Sequence, residues 1–312
     1  MKIVIAGGSG SLGRALATDL VRRDHEVVVL TRTPGRSGGP PPGAVEIGWD
    51  PRDVPSWAHA LESDGEIAVV NLAGKPVDCR PTEENIRALR TSRVEATEAL
   101  VEASRRVSRP VDRWLQASTT AIYGDAGEQQ ITEDTPDPVD GLPQMTGIVR
   151  PWEAAARDAH AAHRVTIRTS IVLDAHTPAL DRLLLPARLG FGGPIGAGTQ
   201  WFSWIHIDDW LRIARAGLGL SPRMDLPDAP VIAASPHPVR NDELMRCLRE
   251  AVGQPLALPT PEIILRLAAV ALRTDPLLAL TGRHTTSTVL EDRGFEFRFP
   301  RLADALADLV RR

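Results

Sequence analysis

The order of apolar and polar residues at the start of the chain predicts a strand, a turn, a helix and a second strand. Residues 2–6 (KIVIA) form a short β-branched run, and residues 14–25 carry apolar side chains at helical spacing. A second apolar run follows at residues 26–32 (EVVVLTR). This order is typical of the opening β-α-β unit of a parallel, doubly wound sheet.

The alternation of strand and helix patterns continues to about residue 175. A long amphipathic helix is predicted over residues 82–107, and a shorter one around residues 152–162. Further strands are predicted at residues 67–74 (IAVVNLAG), 113–119 (RWLQAST) and 164–173 (RVTIRTSIVL). The pattern favours an α/β fold, in which helices cover both faces of a parallel sheet.

The pattern changes after residue 175. We interpret residues 1–175 as a nucleotide-binding domain and residues 176–312 as a smaller α+β lobe, with a ligand crevice between them. A strand near residues 230–235 is expected to return to the sheet. The lobe is predicted to contain helices at residues 179–189, 241–252 and 261–272, and a last strand and helix within residues 294–310, where Phe295, Phe297 and Phe299 alternate.

Composition and charge exclude several kinds of partner. The 312 residues include 36 basic and 40 acidic side chains that are scattered along the chain, which argues against nucleic acid and anionic membranes as partners. No apolar run approaches the roughly 20 residues that span a bilayer. Gly7 interrupts the first apolar run too early for a signal peptide, so we expect a cytoplasmic protein. Cys79 and Cys247 lie far apart, and no metal site is predicted.

The segment between the first strand and the first helix has the spacing of a dinucleotide-binding turn. Gly7, Gly10 and Gly13 form a GxxGxxG pattern. The first glycine permits a tight turn, the second lets the backbone approach a diphosphate, and the third lets helix and strand pack closely. The positive end of the helix then faces the phosphates.

The end of the second strand indicates which dinucleotide binds. An NAD site usually has a carboxylate there for the ribose 2′-hydroxyl, whereas a 2′-phosphate favours arginine. Here Thr31 occupies the acidic position, and Arg32 and Arg36 follow it. The sequence therefore predicts NADP(H) as the cofactor.

Several motifs together resemble a known family. They include GGSGSLG at residues 7–13, NLAG at 71–74, WE at 152–153, RTSIVL at 168–173 and WIHIDD at 204–209. The chain resembles the extended short-chain dehydrogenases/reductases, and within them the YfcH-type epimerase/dehydratase-like family with a C-terminal domain of unknown function. The resemblance implies a Rossmann-like fold and, for the long helix at 82–107, pairing with its copy in a homodimer. The full predicted cofactor set is Gly7, Ser9, Gly10, Ser11, Leu12, Gly13, Thr31, Arg32, Arg36, Leu72, Ala73 and Gly74.

The acid/base pair of the active members is missing. Those members use a tyrosine and, four residues later, a lysine that helps to lower the tyrosine pKa. Tyr123 is the only tyrosine here, and Gly127 stands four residues after it. Alignment on WE places Thr146 and Arg150 at the pair, or Val149 in place of Arg150 if the register shifts by one. Neither a threonine nor an arginine can serve as the base.

Three alternatives for the proton transfer stay open. Tyr123 can act with Lys75 as its cation, since both follow strand ends that meet at one edge of the sheet. Ser118 and Thr119 can instead orient a carbonyl while Asp125, Glu133 or water moves the proton. In the third alternative no hydride is transferred at all.

The substrate side is less well defined. Trp201 and Trp204 are predicted to form an apolar wall over a substrate ring, although either can equally belong to the core. Arg168 ends a buried strand, where it binds either an anionic substrate or an internal carboxylate. Arg150 is a further substrate-binding candidate. His206, Asp208 and Asp209 are interpreted as structural residues at a helix start.

These observations predict an NADP-binding oxidoreductase or epimerase that acts on a small polar or nucleotide-linked substrate. Two other classes are kept as alternatives. One is a non-catalytic NADP-binding sensor or partner-binding protein, which the missing tyrosine and lysine pair favours. The other is a cofactor-independent isomerase or lyase on the same scaffold.

Overall fold

The structure, a computed structural model, describes residues 1–35, 39–138, 142–259 and 277–311. Its strands are β1 Lys2–Ala6, β2 Glu26–Thr31, β3 Val45–Gly48, β4 Ile67–Asn71, β5 Val111–Thr119, β6 Gln130–Ile131, β7 Ala161–Thr169, β8 Ile171–Leu173, β9 Trp201–Phe202, β10 Trp204–His206, β11 Pro230–Ala233, β12 Val239–Arg240 and β13 His284–Thr285. Its α-helices are α1 Ser11–Val21, α2 Val54–Trp57, α3 Glu83–Arg106, α4 Thr146–Ala155, α5 Pro178–Arg188, α6 Ile207–Gly217, α7 Asn241–Val252, α8 Leu277–Leu280, α9 Thr288–Asp292 and α10 Leu302–Arg311. Single 3₁₀ turns cover Ala58–Leu61 and Thr120–Tyr123.

Seven of these strands form one parallel sheet in the order β11-β7-β5-β4-β1-β2-β3. The order reverses beside β1, because β2 lies on one side of it and β4 on the other. The crevice at such a reversal, outside the carboxyl ends of the strands, is the usual ligand site of an open α/β sheet. The predicted α/β class and doubly wound sheet are thus confirmed.

Alternate residues of the strands pack into two separate apolar layers. Ile3 and Ile5 of β1 join the layer that includes α1 and α6, whereas Val4 and Ala6 join the layer formed with α2 and α3. Successive side chains of a strand point to opposite faces, so a strand covered on both sides needs apolar residues throughout. This requirement explains the unbroken apolar runs in the sequence.

Short strand pairs lie beyond the main sheet and bring later residues over its carboxyl edge. β8 pairs with β10, β9 with β12, and β6 with β13. β11 meanwhile pairs in parallel with β7, so part of the chain after residue 175 completes the central sheet. The carboxyl end of β5 therefore lies close to residues from the last third of the chain.

Asp209 makes a buried connection between α6 and the C-terminal segment. Its fully buried carboxylate accepts hydrogen bonds from the backbone amides of Arg298 at 2.8 Å and Phe299 at 2.9 Å. Arg212 donates to the same carboxylate at 3.1 Å. The first turn of α6 is capped instead by His206, whose Nδ1 accepts from the amide of Asp208.

The strand predicted around Phe295, Phe297 and Phe299 is wrong. These three side chains do pack against the core, as their alternation suggested, but the segment forms no strand. Two of its amides are engaged by Asp209 and cannot join a sheet ladder. The sequence thus predicted the alternating burial of this segment correctly, but two of its backbone amides bond to the Asp209 carboxylate and not to a neighbouring strand.

Two further sequence predictions concern helices. The helix predicted around residues 152–162 ends at Ala155, and β7 already begins at Ala161. The helix predicted at residues 261–272 lies outside the described residues. Within the described ranges, no helix is both long enough and apolar enough to cross a membrane.

Asp209→Asn tests the connection between α6 and the C-terminal segment. An asparagine turns its NH₂ group toward one of the two amide donors, so one buried amide loses its acceptor and the free energy of unfolding falls by about 2 kcal/mol. Urea denaturation measures this loss. The matched control is Asp292→Asn at an exposed carboxylate, which should change stability by less than about 0.5 kcal/mol. Equal losses of unfolding free energy in the two variants would contradict the structural role of Asp209.

Candidate active site

The glycine turn after β1 is shaped by close backbone contacts. Gly7 has φ +80°, and a Cβ on it would lie 2.6 Å from the backbone carbon and oxygen of Leu72. A Cβ on Gly13 would lie 2.6 Å from the Cα of Gly8. Neither position accepts a side chain, so the β1-α1 turn and the end of β4 are held against each other.

The open side of this turn faces the crevice. Ser9, Gly10 and Ser11 are exposed, and Leu12 is half-buried. Gly10 precedes α1 and offers no side-chain cap to the amides of the first turn. Such amides need an external acceptor, and the helix dipole makes an anion the favoured one. The turn can therefore hold a diphosphate.

The end of β4 is fixed by a buried polar network. Asn71 donates to Thr97 at 2.8 Å and to Gln116 at 3.0 Å, while its own side-chain oxygen accepts from the amide of Ala73 at 3.1 Å. These bonds set the course of the backbone through Leu72, Ala73 and Gly74. The predicted cofactor residues of β1, α1 and β4 thus lie side by side.

The residues after β2 lie at the same edge of the sheet as the glycine turn. Thr31 is buried, and its hydroxyl accepts from the amide of Thr33 at 3.3 Å. Arg32 is exposed at the strand end, on the same edge of the sheet as the glycine turn. Arg36 lies outside the described residues.

A buried arginine organises the residues beyond β5. Arg168 on β7 is 4% exposed and donates to Glu153 of α4 at 3.0 and 2.9 Å. It also donates to Asp137 at 2.9 Å and to the Tyr123 hydroxyl at 2.7 Å. Burial alone would lower the pKa of Arg168, but the hydrogen bonds and charge of Glu153 raise it above its ordinary value. Of the two roles left open for Arg168, the structure shows the internal ion pair.

Tyr123 is held in this network as a neutral phenol. It is 6% exposed and donates toward the carbonyl of Thr132 at 3.4 Å while it accepts from Arg168. Burial raises the pKa of Tyr123 above its ordinary value, although the charge and hydrogen bond of Arg168 oppose the shift. The phenol therefore does not ionise near neutral pH, as a catalytic base would have to.

The pairing of Tyr123 with Lys75 is wrong. The cation beside the phenol is Arg168. Lys75 is exposed after β4, where its ammonium lies 3.5 Å from the side-chain oxygen of Asn85 on α3. The sequence could not indicate this arrangement, because Tyr123 and Arg168 are 45 positions apart.

The two hydroxyls at the end of β5 have different surroundings. Ser118 is buried and donates to Glu153, so its proton is already engaged. Thr119 is half-buried, and its hydroxyl oxygen accepts from the amide of Ala121 at 3.2 Å. Among the described residues no group accepts the Thr119 hydroxyl hydrogen. Thr119 is therefore the better hydrogen-bond donor for a substrate oxygen.

The residues of α4 at the expected tyrosine and lysine positions carry no acid or base. The Thr146 hydroxyl donates to the carbonyl of Ile122 at 2.9 Å, and Val149 is buried in an apolar cluster. Arg150 is exposed, donates to the carbonyl of Pro138 at 2.8 Å and lines a cavity of about 290 Å³ together with Glu153 and Asp137. These positions do not reproduce the missing pair.

The two predicted substrate tryptophans do not present open ring faces. Trp204 is 0% exposed, belongs to the core and donates to the carbonyl of His237. Trp201 stacks on His284 at a centroid distance of 4.1 Å, and the Arg240 guanidinium lies 4.5 Å from the same ring centroid. Both groups pack against the Trp201 indole. The predicted apolar wall over a substrate ring is thus wrong.

The carboxylates proposed to move the proton are also engaged. Glu133 accepts from the amides of Ile232 at 2.8 Å and Thr288 at 2.9 Å, and from two hydroxyl groups at Ser287 and Thr288. It holds three distant segments together. Asp125 is exposed and accepts from the amide of Gly282 at 3.3 Å. The described part of the chain contains no group of three or more His, Cys, Asp or Glu side chains arranged to hold a metal ion.

Sequence reasoning missed two arginines near the crevice. Arg93 of α3 lies against Gly74 and over the ring of Trp152, with the guanidinium carbon 5.2 Å from the ring centroid. Arg283 donates to the carbonyl of Gly124 at 3.0 Å. Burial lowers the pKa of both, that of Arg93 to about 10. Neither position is assigned a role from the sequence, because nothing in the local sequence distinguishes it from the other arginines of the chain.

Comparison with known families confirms the resemblance seen in the sequence. Residues 3–143 match the NAD dependent epimerase/dehydratase family, and residues 260–309 match a domain of unknown function, DUF1731. The human epimerase family protein SDR39U1 is 31% identical over 314 residues, which cover 99% of this chain and 100% of the relative.

Solved structures also resemble this chain over its whole length. The crystal structure of human SDR39U1 (isoform 2) with NADPH covers 100% of both chains, with a TM-score of 0.83 and 29% identity. This cofactor agrees with the NADP(H) predicted from Arg32. MoeE5 in complex with UDP-glucuronic acid and NAD covers 100% of this chain and 98% of that chain, with a TM-score of 0.75 and 22% identity. The second likeness shows the fold alone.

The state of the Tyr123 phenol can be measured directly, because the chain contains one tyrosine. Phenolate absorbance followed against pH, with Tyr123→Phe as the blank, should give a midpoint above pH 10, since burial raises the pKa. The stability due to the neutral phenol is complete below about pH 10 and is lost as pH rises through the folded-state pKa. A midpoint near neutrality would instead restore Tyr123 as a candidate base.

Proposed function

Since this chain belongs to the NAD dependent epimerase/dehydratase family, we propose that it binds NADPH and reduces a carbonyl group on a small polar or nucleotide-linked molecule. The observation that carries the proposal is the glycine turn, whose first and third glycines admit no Cβ and whose exposed side lacks a side-chain cap. That side fits a diphosphate at the start of α1. Arg32 at the end of β2 fits a ribose 2′-phosphate.

The strand order supports this placement of the cofactor. With the diphosphate over β1, the adenosine half extends toward β2 and Arg32, and the nicotinamide half extends toward β4 and β5. Leu72, Ala73 and Gly74 then lie beside the nicotinamide half. Bound NADPH supplies the hydride.

The proton chemistry favours reduction over epimerisation. An epimerase that works through a keto intermediate must first remove a proton from an alcohol, and Tyr123 is a neutral phenol at neutral pH. Reduction needs a group that donates a hydrogen bond to the carbonyl oxygen, and a proton for the alkoxide that hydride addition leaves. The Thr119 hydroxyl fills that role and orients the oxygen, and solvent water supplies the proton.

We assign the substrate side of the crevice to residues 176–312. β9, β12 and β13 lie beyond the carboxyl end of β5, and Arg283 donates to the carbonyl of Gly124. These contacts support a substrate side that includes later residues and lies near the end of β5. The division of the chain into domains at residue 175 is part of the same proposal.

A non-catalytic NADPH-binding protein is the second candidate. The specific observation in its favour is the ion pair between Arg168 and Glu153, which engages both Tyr123 and Ser118. A protein that only senses the cofactor needs the glycine turn and Arg32 but no free acid or base. Measured turnover separates the two candidates.

Arg32→Gln tests the cofactor assignment. A charged contact to the 2′-phosphate is worth roughly 1.5 to 3 kcal/mol, so the variant should bind NADPH about 10- to 100-fold more weakly and leave NADH affinity unchanged. Fluorescence titration of the purified chain measures both cofactors. Arg52→Gln, at another exposed arginine, is the control and should match the wild type. Equal weakening of NADH and NADPH would show that Arg32 does not read the phosphate.

Thr119→Val tests the reduction. In a screen of aldehydes and ketones by NADPH oxidation, the loss of one hydrogen-bond donor should lower kcat about 100-fold. Thr91→Val, at a half-buried threonine of α3, should keep wild-type turnover. If NADPH binds tightly but no carbonyl compound oxidises it, hydride transfer is refuted and the non-catalytic candidate is supported.

A further inference from the structure

Two buried or partly buried arginines on the carboxyl side of the sheet differ in their partners. Arg168 is surrounded by Glu153, Asp137 and Tyr123. Arg93 is half-buried and donates one hydrogen bond, from Nη1 to the carbonyl of Leu89 at 3.1 Å. Among the residues that the structure describes, no carboxylate pairs with it. A cation removed from water without a partner lowers stability, so its retention calls for another explanation.

Gly74 and Trp152 are immediate neighbours of the Arg93 guanidinium. A Cβ on Gly74 would lie 3.0 Å from the guanidinium carbon, so the group rests directly on the exposed Gly74 backbone. The ring of Trp152 covers one face of the cation. An arginine edge can donate two parallel N–H bonds to a planar carboxylate or to a phosphate.

The position of Arg93 lies on the substrate side of the crevice. Gly74 follows β4, and Trp152 is adjacent to Glu153, which accepts from Ser118 at the end of β5. The guanidinium therefore lies beside the loop that follows β4 and against α4, the helix whose Glu153 bonds to the end of β5. The glycine turn belongs to β1, and Arg32 lies at β2 on the opposite side. Lys75, the next residue after Gly74, adds a second positive charge to the same loop.

We propose that Arg93 is an anion-binding residue for the substrate, which carries a carboxylate or phosphate group in addition to its carbonyl. This inference rests on the proposed function for the position of the reacting carbonyl. The guanidinium edge binds the anion, and Thr119 binds the carbonyl oxygen. Burial lowers the pKa of Arg93 to about 10, so the group still carries its charge at neutral pH.

The test uses sodium malonate and sodium phosphate as probes on the full-length chain. Saturating NADPH first occupies the glycine turn and Arg32, and the thermal midpoint is then followed against each anion at constant ionic strength. We expect at least one of the two to raise the midpoint saturably. Protection by malonate indicates a carboxylate substrate, and protection by phosphate indicates a phosphorylated one.

Arg93→Gln should weaken the protecting anion about tenfold or more and leave NADPH affinity within about twofold of the wild type. Without anion, the variant should unfold at the same temperature as the wild type or higher, because a half-buried charge without a carboxylate partner has been removed. Arg90→Gln, at an exposed arginine one turn earlier on α3, is the matched control and should retain anion binding.

Three results would overturn the proposal. They are the absence of protection by either anion, unchanged protection in Arg93→Gln, and a loss of NADPH affinity in that variant comparable to its loss of anion affinity. The last result would assign Arg93 to the cofactor. If the wild type fails to bind NADPH, the proposed function fails, whereas the same anion titrations on the cofactor-free chain still test Arg93.

Discussion

The buried ion pair between Arg168 and Glu153 is the constraint on which the rest of the site depends. A guanidinium that is 4% exposed requires compensation, and here two carboxylates and a phenol supply it. The same bonds set the position of α4 relative to β7 and engage the Ser118 hydroxyl. The ion pair therefore decides which polar groups at the end of β5 stay available. Thr119 is available, whereas Ser118 and Tyr123 are not.

The cofactor side could be read from the sequence because its determinants are local. The glycine spacing, the apolar run of β1 and the residue after β2 lie within one β-α-β unit, and each follows from backbone geometry or charge. The substrate side depends on contacts between distant positions. The partner of Tyr123 is 45 positions away, and Arg240 and His284 pack against the ring of Trp201. Residue type alone could not show that these groups were engaged. The segment at Phe295 to Phe299 shows the same limit, because a distant carboxylate replaced the expected strand partner.

Arg93 illustrates the opposite case, in which the informative feature is a missing partner. A sequence in which nearly every basic residue is arginine gives no reason to select one of them. Selection requires knowing that the buried Arg168 is compensated by carboxylates and that the half-buried Arg93 donates to a single carbonyl. Stability and recognition then make different demands on the same residue type. One arginine fixes the framework, and the other keeps donors for a molecule that comes from solution.

The contacts of Glu133 have a consequence for the order in which this chain folds during synthesis. Its carboxylate accepts from Ile232, 99 positions later, and from Thr288, 155 positions later. A ribosome-bound chain that has been synthesised only as far as β7 contains six of the seven strands of the sheet. The hydrogen bonds from Ile232 and Thr288 to Glu133 cannot form at that stage. Loop closure over such distances is costly in entropy and is compensated only when the last segments emerge. The crevice above β5 is therefore completed after translation is nearly finished, and a truncated chain would keep a hydrated carboxylate where the mature protein has a packed junction.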